Sequence, residues 1–497
     1  MDRRVFGVET EFGLVHHGGR GRGLPPDETA RYLFRPVVQW GRSSNVFVPN
    51  GSRLYLDVGS HPEYATAECD DLLDLIASDR AGELIMHDLA ERAEEALGAD
   101  GFDGALYVLK NNVDSQGNSY GSHENYLIPR MTHLRRLSTV LLPFLVTRQI
   151  IAGAGRIVPA SEEREAHFAF SQRADHMWEG ISSATTRARP IINTRDEPHA
   201  DAAEHRRLHV IVGDSNMSDT TQLVRFGSTD LVLRMIEAGV PLGDYELENP
   251  VSAIRHISHD ISGDARVRAR DGSELTAVDV QSGLLERARR FVADHGAHHE
   301  HVETVLELWG RCVEAVASGD HSLIETEIDW AIKKRLADDV ADRTGLSYGA
   351  PRLEQIDYAY HDVHPDRGLF RLLERRGRAA HILDDQRIRR AVTDPPATTR
   401  AALRGRFLSA ARAYRAPHSV DWMHLKLVER PLEAVMAKDP FGSEDPRIEA
   451  LLAKLAGSGV DLRELDDSDR EAQPVPLALS ERYELSASAP PPEPPWV

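Results

Sequence analysis

Two stretches of the chain alternate strictly between apolar and polar positions. Across residues 53–58, Leu54, Leu56 and Val58 fall on one side of a strand, and Arg53, Tyr55 and Asp57 fall on the other. Aspartate is depleted in strands, so a face carrying a guanidinium, a phenol and a carboxylate calls for an explanation beyond solvation. Residues 3–15 repeat the pattern, with Val8, Thr10 and Phe12 on one face and Gly7, Glu9, Glu11 and Gly13 on the other. The intervening connection, residues 14–49, has a Gly/Arg-rich start and predicts a helix over PDETARYLFRPVVQWG. Extended structure resumes at HPEYATAE after a Gly-Ser-His-Pro bend. Residues 71–97 predict an amphipathic helix, with Leu72, Leu75, Ile76 and Leu89 near helical spacing. GALYVLKNN and RRLHVIVGDSN read as further strands, and residues 229–239, 302–318 and 322–341 as helices.

Strands separated by long helical insertions, several with one polar face, predict an α+β enzyme. Helices would cover one face of its sheet, and the other would open as a cleft. A break at DPPATTR precedes a small C-terminal unit, with SVDWMHLKLV and AVMAKDP as its strands. The expected division is a catalytic domain over 1–405, a small domain over 406–462, and a disordered, acidic then proline-rich tail over 463–497.

The chain has 497 residues and a net charge of −20. That balance disfavours a general nucleic-acid binder, which needs a basic surface, and leaves room for local basic patches. Arg375, Arg376 and Arg378 form one basic run, read as a solvated helix end. Two cysteines, Cys69 and Cys312, imply no disulfide framework and fit a reducing compartment. The N-terminus is acidic where a signal peptide would be apolar, and the longest apolar stretch, VLLPFLV, is too short to span a bilayer. A cytoplasmic protein without a membrane or nucleic-acid partner is expected.

GGRGRG at 18–23 is followed by Pro25 and Pro26 rather than a helix start with a downstream acid, so it reads as a turn and not a dinucleotide loop. HGAHHEH at 295–301 reads as a charged helix start before it reads as a metal site. What remains is a constellation on strands. Glu9 and Glu11 lie two apart, roughly 6.5–7 Å along one face. Glu63 and Glu68 follow the Arg53-Tyr55-Asp57 stretch, and His209 has Arg206 and Arg207 beside it. Carboxylates converging on one cleft repel unless protonated or bridged by cations. Hard oxygen donors favour Mg²⁺ or Mn²⁺, and such a cation beside arginines describes a nucleoside-triphosphate site. A set of surface salt bridges is the competing reading.

At these residues the sequence resembles a known family. GVETEFG, NGSRLYLDVGSHPEYATAE, KNNVDSQGNSYGSHENY, INTRDEPHAD, RRLHVIVGDSNMS and TEIDWAIK together look like the Pup ligases, in order from about residue 3 to about residue 455. The tail has no counterpart in the family pattern. The resemblance implies a glutamine synthetase-like fold, a curved, mainly antiparallel sheet cradling ATP and metal, with a small C-terminal domain at one end. It also implies the chemistry. ATP activates the side-chain carboxylate of the C-terminal glutamate of Pup, a small, acidic, disordered modifier, as a γ-glutamyl phosphate. A lysine amine of a target protein then displaces phosphate.

By motif, the implied metal ligands are Glu9, Tyr55 and Glu63, the ATP contacts Arg53, Thr66 and Trp422, and the catalytic base Asp57. Analogy with glutamine synthetase-like sites adds Glu11 and His209 as metal ligands. Arg195 and Arg206 are candidate phosphate contacts. The nearest alternative is the Pup deamidase of the same family, which carries a long extra loop where residues 14–49 are short here. A small-molecule carboxylate–amine ligase and a non-enzymatic binding module are the others.

Overall fold

The computed structural model describes residues 1–18, 23–57, 59–130, 134–162, 164–184, 189–428 and 434–457. The expected tail, most of the GGRGRG turn and Val58 lie outside the described residues. The chain opens with β1 (Phe6–Glu11), β2 (Gly13–Gly18), α1 (Pro26–Gly41), β3 (Asn45–Phe47), β4 (Arg53–Leu56), β5 (Pro62–Ala65), α2 (Leu72–Ala99), β6 (Gly104–Leu109) and β7 (Ser122–Pro129). Three later strands, Glu179–Ser182, Pro190–Asn193 and His205–Val210, complete an eight-stranded sheet. Its order runs Glu179–Ser182, Pro190–Asn193, His205–Val210, β7, β1, β5, β4, β3. Every neighbouring pair is antiparallel except the first. β2 and β6 form a separate two-stranded ladder beside it.

Strand alternation sorts the sheet into two unlike faces. Phe6, Val8, Leu54, Tyr64, Tyr126, Ile128 and Leu208 are buried on the covered face, where α2 packs against β1. α2 begins where the Asp71 carboxylate accepts the Asp74 N–H at 2.9 Å. It is buried nearly all round, so its charged residues are paired. The Lys110 ammonium bonds Glu83 at 2.7 Å and also Asp79, and Arg80 reaches Asp219 at 2.7 Å. A buried ion is retained only when such partners compensate its desolvation.

The helices at 302–318 and 26–41 coincide with the expectation. The helix expected at 229–239 runs over Asp219–Glu237. Its first turns are buried on all sides, which removes the polar stripe that periodicity detects. The helix expected from 322 starts at Asp329, after a 3-10 turn over His321–Leu323. SVDWMHLKLV is a hairpin, His418–Val420 with His424–Leu427, and not one strand. Its turn is made by Asp421, whose carboxylate accepts the N–H groups of Met423 and His424, both at 2.8 Å.

The small unit has its own core of Leu403, Phe407, Ala411, Leu425, Leu427, Val435, Ile448 and Leu451. The boundary expected at 405 falls inside the helix Ala401–Ala413. Because Leu403 already belongs to the small core, we draw the unit from about residue 400. Glu68 ties it to the sheet, pairing with Arg400 at 2.7 Å and with Arg404. No helix among the described residues is long and apolar enough to cross a membrane.

Candidate active site

The uncovered face gathers polar side chains from five adjacent strands. Register places Glu9 opposite His123 and Ala65, Glu11 and Tyr55 opposite Glu63, and His209 opposite Asn125. Glu9, His123 and His209 offer ligand atoms within 4.8 Å of one another, and Glu11, Asp57 and Glu63 do the same. Gly121 makes this convergence possible, because a Cβ there would lie 2.3 Å from His123 Nε2 and 2.8 Å from Glu11 Oε1.

Glu9 is the hub. His123 Nδ1 lies 3.3 Å and His209 Nε2 3.6 Å from its carboxylate, Asn125 donates at 3.1 Å, and Arg207 Nη1 lies at 3.5 Å. Burial opposes its ionisation, but His209, His123 and Arg207 outweigh burial and hold its carboxyl well below the usual range. Glu63 is pushed the other way, by burial first and then by Glu9 and Glu11. Burial lowers His209 against the opposing pull of Glu9, and a neutral imidazole is the form that ligates metal. His209 Nε2 is buried without a hydrogen-bond partner among the described residues. An orphaned imidazole nitrogen facing carboxylates that repel fits a divalent cation, and the oxygen-rich donor set fits Mg²⁺ or Mn²⁺.

Tyr55 reaches the site through Glu63, to which its hydroxyl donates. Burial and the nearby Glu9 and Glu63 raise its phenol far above the ordinary value. The hydroxyl thus stands beside the Glu63 carboxylate, where the two oxygens could face one cation. Asp57 is exposed and sits one residue beyond β4, where its N–H donates to the His61 carbonyl at 2.9 Å and its carbonyl accepts from Ser60 at 3.0 Å. Left-handed φ values of 91° at Gly59 and 65° at Ser60 make this tight turn. No ion pair joins Asp57 to Arg53 among the described residues. Arg53 instead donates to Asn45 at 2.7 Å and lies over the Tyr55 ring at 4.6 Å.

Cavities open on both sides of these carboxylates. A small one of about 80 Å³ is lined by Glu9, Thr66, Asn125, His199, Arg207 and Trp422. Thr66 Oγ1 accepts the Val8 N–H at 3.1 Å. Trp422 meets Phe47 edge-on at 4.9 Å, and Arg404 lies 5.0 Å over its ring. A cleft of about 1340 Å³ lies on the other side, with Glu11, Asp57, His61, His123 and His209 among its lining.

Of the candidate phosphate contacts, Arg195 stands exposed at the rim, paired with Glu197 at 2.7 Å. Glu197 in turn meets Arg207 at 3.4 Å. Arg206 is not brought to the cleft. It lies opposite Ile128 on the covered face, and alternation gives the position beside His209 to Arg207. His123, Asn125 and Arg207 were missed as site residues, although the signal was present. Each lies two residues from a polar neighbour on the same face, the spacing that marks Glu9 and Glu11. The HGAHHEH segment is used structurally, His298 bonding Asp230 at 2.7 Å.

The family model for Pup-ligase protein matches residues 4–426. A Pup--protein ligase of Arthrobacter sp. (strain FB24) is 59% identical over 452 residues, covering 91% of this chain and 99% of the relative. One from Mycolicibacterium smegmatis is 53% identical over 455 residues, covering 92% of this chain and 100% of the relative. Among solved structures, the complex between prokaryotic ubiquitin-like protein Pup and its ligase PafA matches with a TM-score of 0.89 and 45% identity, over 95% of each chain. PafA in complex with ADP matches with a TM-score of 0.80 and 47% identity, over 89% of this chain and 96% of that one. The chain belongs to the Pup ligase family.

Proposed function

We propose that this chain joins the side-chain carboxylate of the C-terminal glutamate of Pup to lysine ε-amines of target proteins, at the expense of ATP. The observation that carries the reading is the placement of Glu9, Glu11 and Glu63 between a small cavity and a large cleft. The small cavity, with Thr66, Arg207 and Trp422 in its wall, marks the side on which a nucleotide would bind once the walls part to admit it, and the likeness to an ADP-bound ligase supports that side of the reading. The large cleft suits a polypeptide carboxylate and an incoming amine.

Glu9, His123 and His209, with Glu11 and Glu63, would hold Mg²⁺. When bound, it would neutralise phosphate charge during phosphoryl transfer. Tyr55 holds Glu63 in place. Arg207, already beside Glu9, and Arg53 on β4 would bind phosphate oxygens. In the first step the glutamate carboxylate attacks the γ-phosphorus, the bond to the β-phosphate oxygen breaks, and ADP leaves. In the second, the lysine nitrogen attacks the acyl carbon, and the carbon–oxygen bond to phosphate breaks. A lysine amine has an ordinary pKa of about 10.4 and reacts only when neutral. Asp57, exposed at the cleft and free of Arg53, takes the proton as the C–N bond forms.

Targeting for proteasomal degradation and a cytoplasmic site of action complete the proposal. The two buried, unbridged thiols support the compartment. The test is incubation with Pup ending in glutamate, ATP, Mg²⁺ and an acceptor protein. The expected result is an ATP-dependent mass increase equal to Pup less one water, mapped to lysine. ATP-independent release of Pup from a preformed conjugate, with no conjugate formed, would reassign the chain to the hydrolytic branch of the family.

A further inference from the structure

The large cleft carries a carboxylate that the proposed mechanism does not use. Asp114 lies on the loop between β6 and β7 and lines the cleft with Asp57, His61, Tyr120 and Tyr358. Its carboxylate accepts the backbone N–H groups of Gln116 at 2.9 Å and Asn118 at 2.8 Å, and the Asn118 amide at 2.8 Å. Among the described residues no lysine, arginine or histidine pairs with it. The loop is braced from behind, where Arg173 donates to Ser119 Oγ at 3.2 Å and to the Tyr120 carbonyl at 2.7 Å. A full negative charge is therefore held in a fixed place in the cleft wall with no cation to balance it.

Its surroundings suit a cation. His61 stacks on Tyr120 with ring centroids 4.6 Å apart, which fixes the wall of the cleft beside Asp114. The field of Asp114 reaches inward, since both Tyr120 and Tyr358 are raised, by burial first and then in part by Asp114. Deeper in the same cleft Glu11 is 8% exposed, and its carboxylate accepts no hydrogen bond from any described residue. The amine substrate of the proposed reaction arrives charged, because its pKa of about 10.4 keeps it protonated at neutral pH. A low-dielectric cleft lined by one sign of charge concentrates the opposite sign.

We propose that Asp114, with the Tyr120–His61 stack, selects the acceptor by capturing the lysine ammonium before Asp57 deprotonates it. Asp114 is a specificity residue for the charged amine and has no part in activating the glutamate. The inference rests on the ligase reading above.

The test compares two nucleophiles at saturating Pup and ATP, N-acetyl-lysine methylamide, which is cationic, and hydroxylamine, which is neutral at pH 7.5. Asp114→Asn keeps the Oδ1 that accepts the Gln116 and Asn118 N–H groups and removes the charge together with the hydrogen bond from the Asn118 amide. It should raise the KM for the lysine derivative about tenfold, the lower end of electrostatic concentration effects. Hydroxamate formation should stay within about twofold of the parent, because the change falls on the binding of the charged amine alone. The melting temperature should hold, and Asp114→Glu should recover most of the lysine KM. An unchanged KM for the lysine derivative would overturn the proposal, as would an equal loss with both nucleophiles. If the parent protein forms neither hydroxamate nor isopeptide, the ligase reading itself falls.

Discussion

Glu124 and Glu9 sit on neighbouring strands of one sheet, separated by a single step of register, and they face opposite ways. Glu124 is buried on the covered face and fully engaged. Arg148 reaches it at 2.5 Å, Arg225 at 3.0 Å, and the Tyr126 hydroxyl at 2.5 Å. Burial alone would push its carboxyl up, but Arg148 and then Arg225 bring it down to about 2. On the uncovered face Glu9 leans on imidazoles, and Glu63 is pushed up by burial and then by the crowding of Glu9 and Glu11. One face has as many cations as its acids need, and the other is short of positive charge. Satisfied charge holds a fold together, whereas unsatisfied charge converging on one cleft marks the place where a cation or substrate binds.

Removing charge from each face should separate the two roles. Glu124→Gln strands two buried guanidinium groups, and breaking such a buried pair costs about 3–5 kcal/mol. Calorimetric unfolding should show that loss, with activity per folded molecule retained. The same pairing sets an acid limit. The carboxyl lies near 2 in the folded chain and about 4.3 unfolded, so its contribution is complete above pH ~4.3 and fades as pH falls towards 2. Glu68, brought to about 2 by Arg404 and Arg400 against its burial, adds to the same slope. Melting temperatures measured between pH 7 and 3 should fall steeply, and Glu124→Gln should flatten that fall.

On the open face, Asp57→Asn should leave nucleotide affinity and melting temperature near those of the parent. Single-turnover isopeptide formation should drop by ~10²-fold or more, the usual size of a general-base contribution. Loss of ATP binding and stability together would make Asp57 a structural residue. The smallest effect sharpens the comparison within one strand. Arg207→Ala should weaken ATP binding by about tenfold, the scale of one charge-assisted contact, while Arg206→Ala should change it by less than about twofold. Equilibrium binding of a fluorescent ATP analogue reads both, and equal losses would show that strand alternation does not sort these two arginines.

Much of this was legible in the sequence. Period-two alternation identified the polar faces of β1 and β4 directly, and the family motifs extended the assignment to Glu63, Thr66 and Trp422. Alternation was applied to Glu9 and Glu11 but not carried to His209, where it selects Arg207 over Arg206. Alternation marks His123 and Asn125 as sharing a face, but the partner across the sheet, Glu9, is 114 residues away, and nothing local shows which strand lies opposite. α2, expected over 71–97, runs over Leu72–Ala99, but the start of the Asp219–Glu237 helix was blurred for a related reason. Burial on all sides erases the stripe from which an amphipathic helix is read. The split of SVDWMHLKLV into a hairpin turned on Asp421, a turn former masked by the apolar residues around it.

The most direct test of the account is the isopeptide yield of Glu9→Gln, read by intact mass with Pup, ATP, Mg²⁺ and an acceptor protein. The glutamine keeps an oxygen for Asn125 and Arg207 and removes the charge at the centre of the site, together with the oxygen that faces His123 and His209. The account predicts an unchanged melting temperature and no detectable conjugate. Conjugate formed at the parent rate, at limiting Mg²⁺ and with the fold intact, would contradict it.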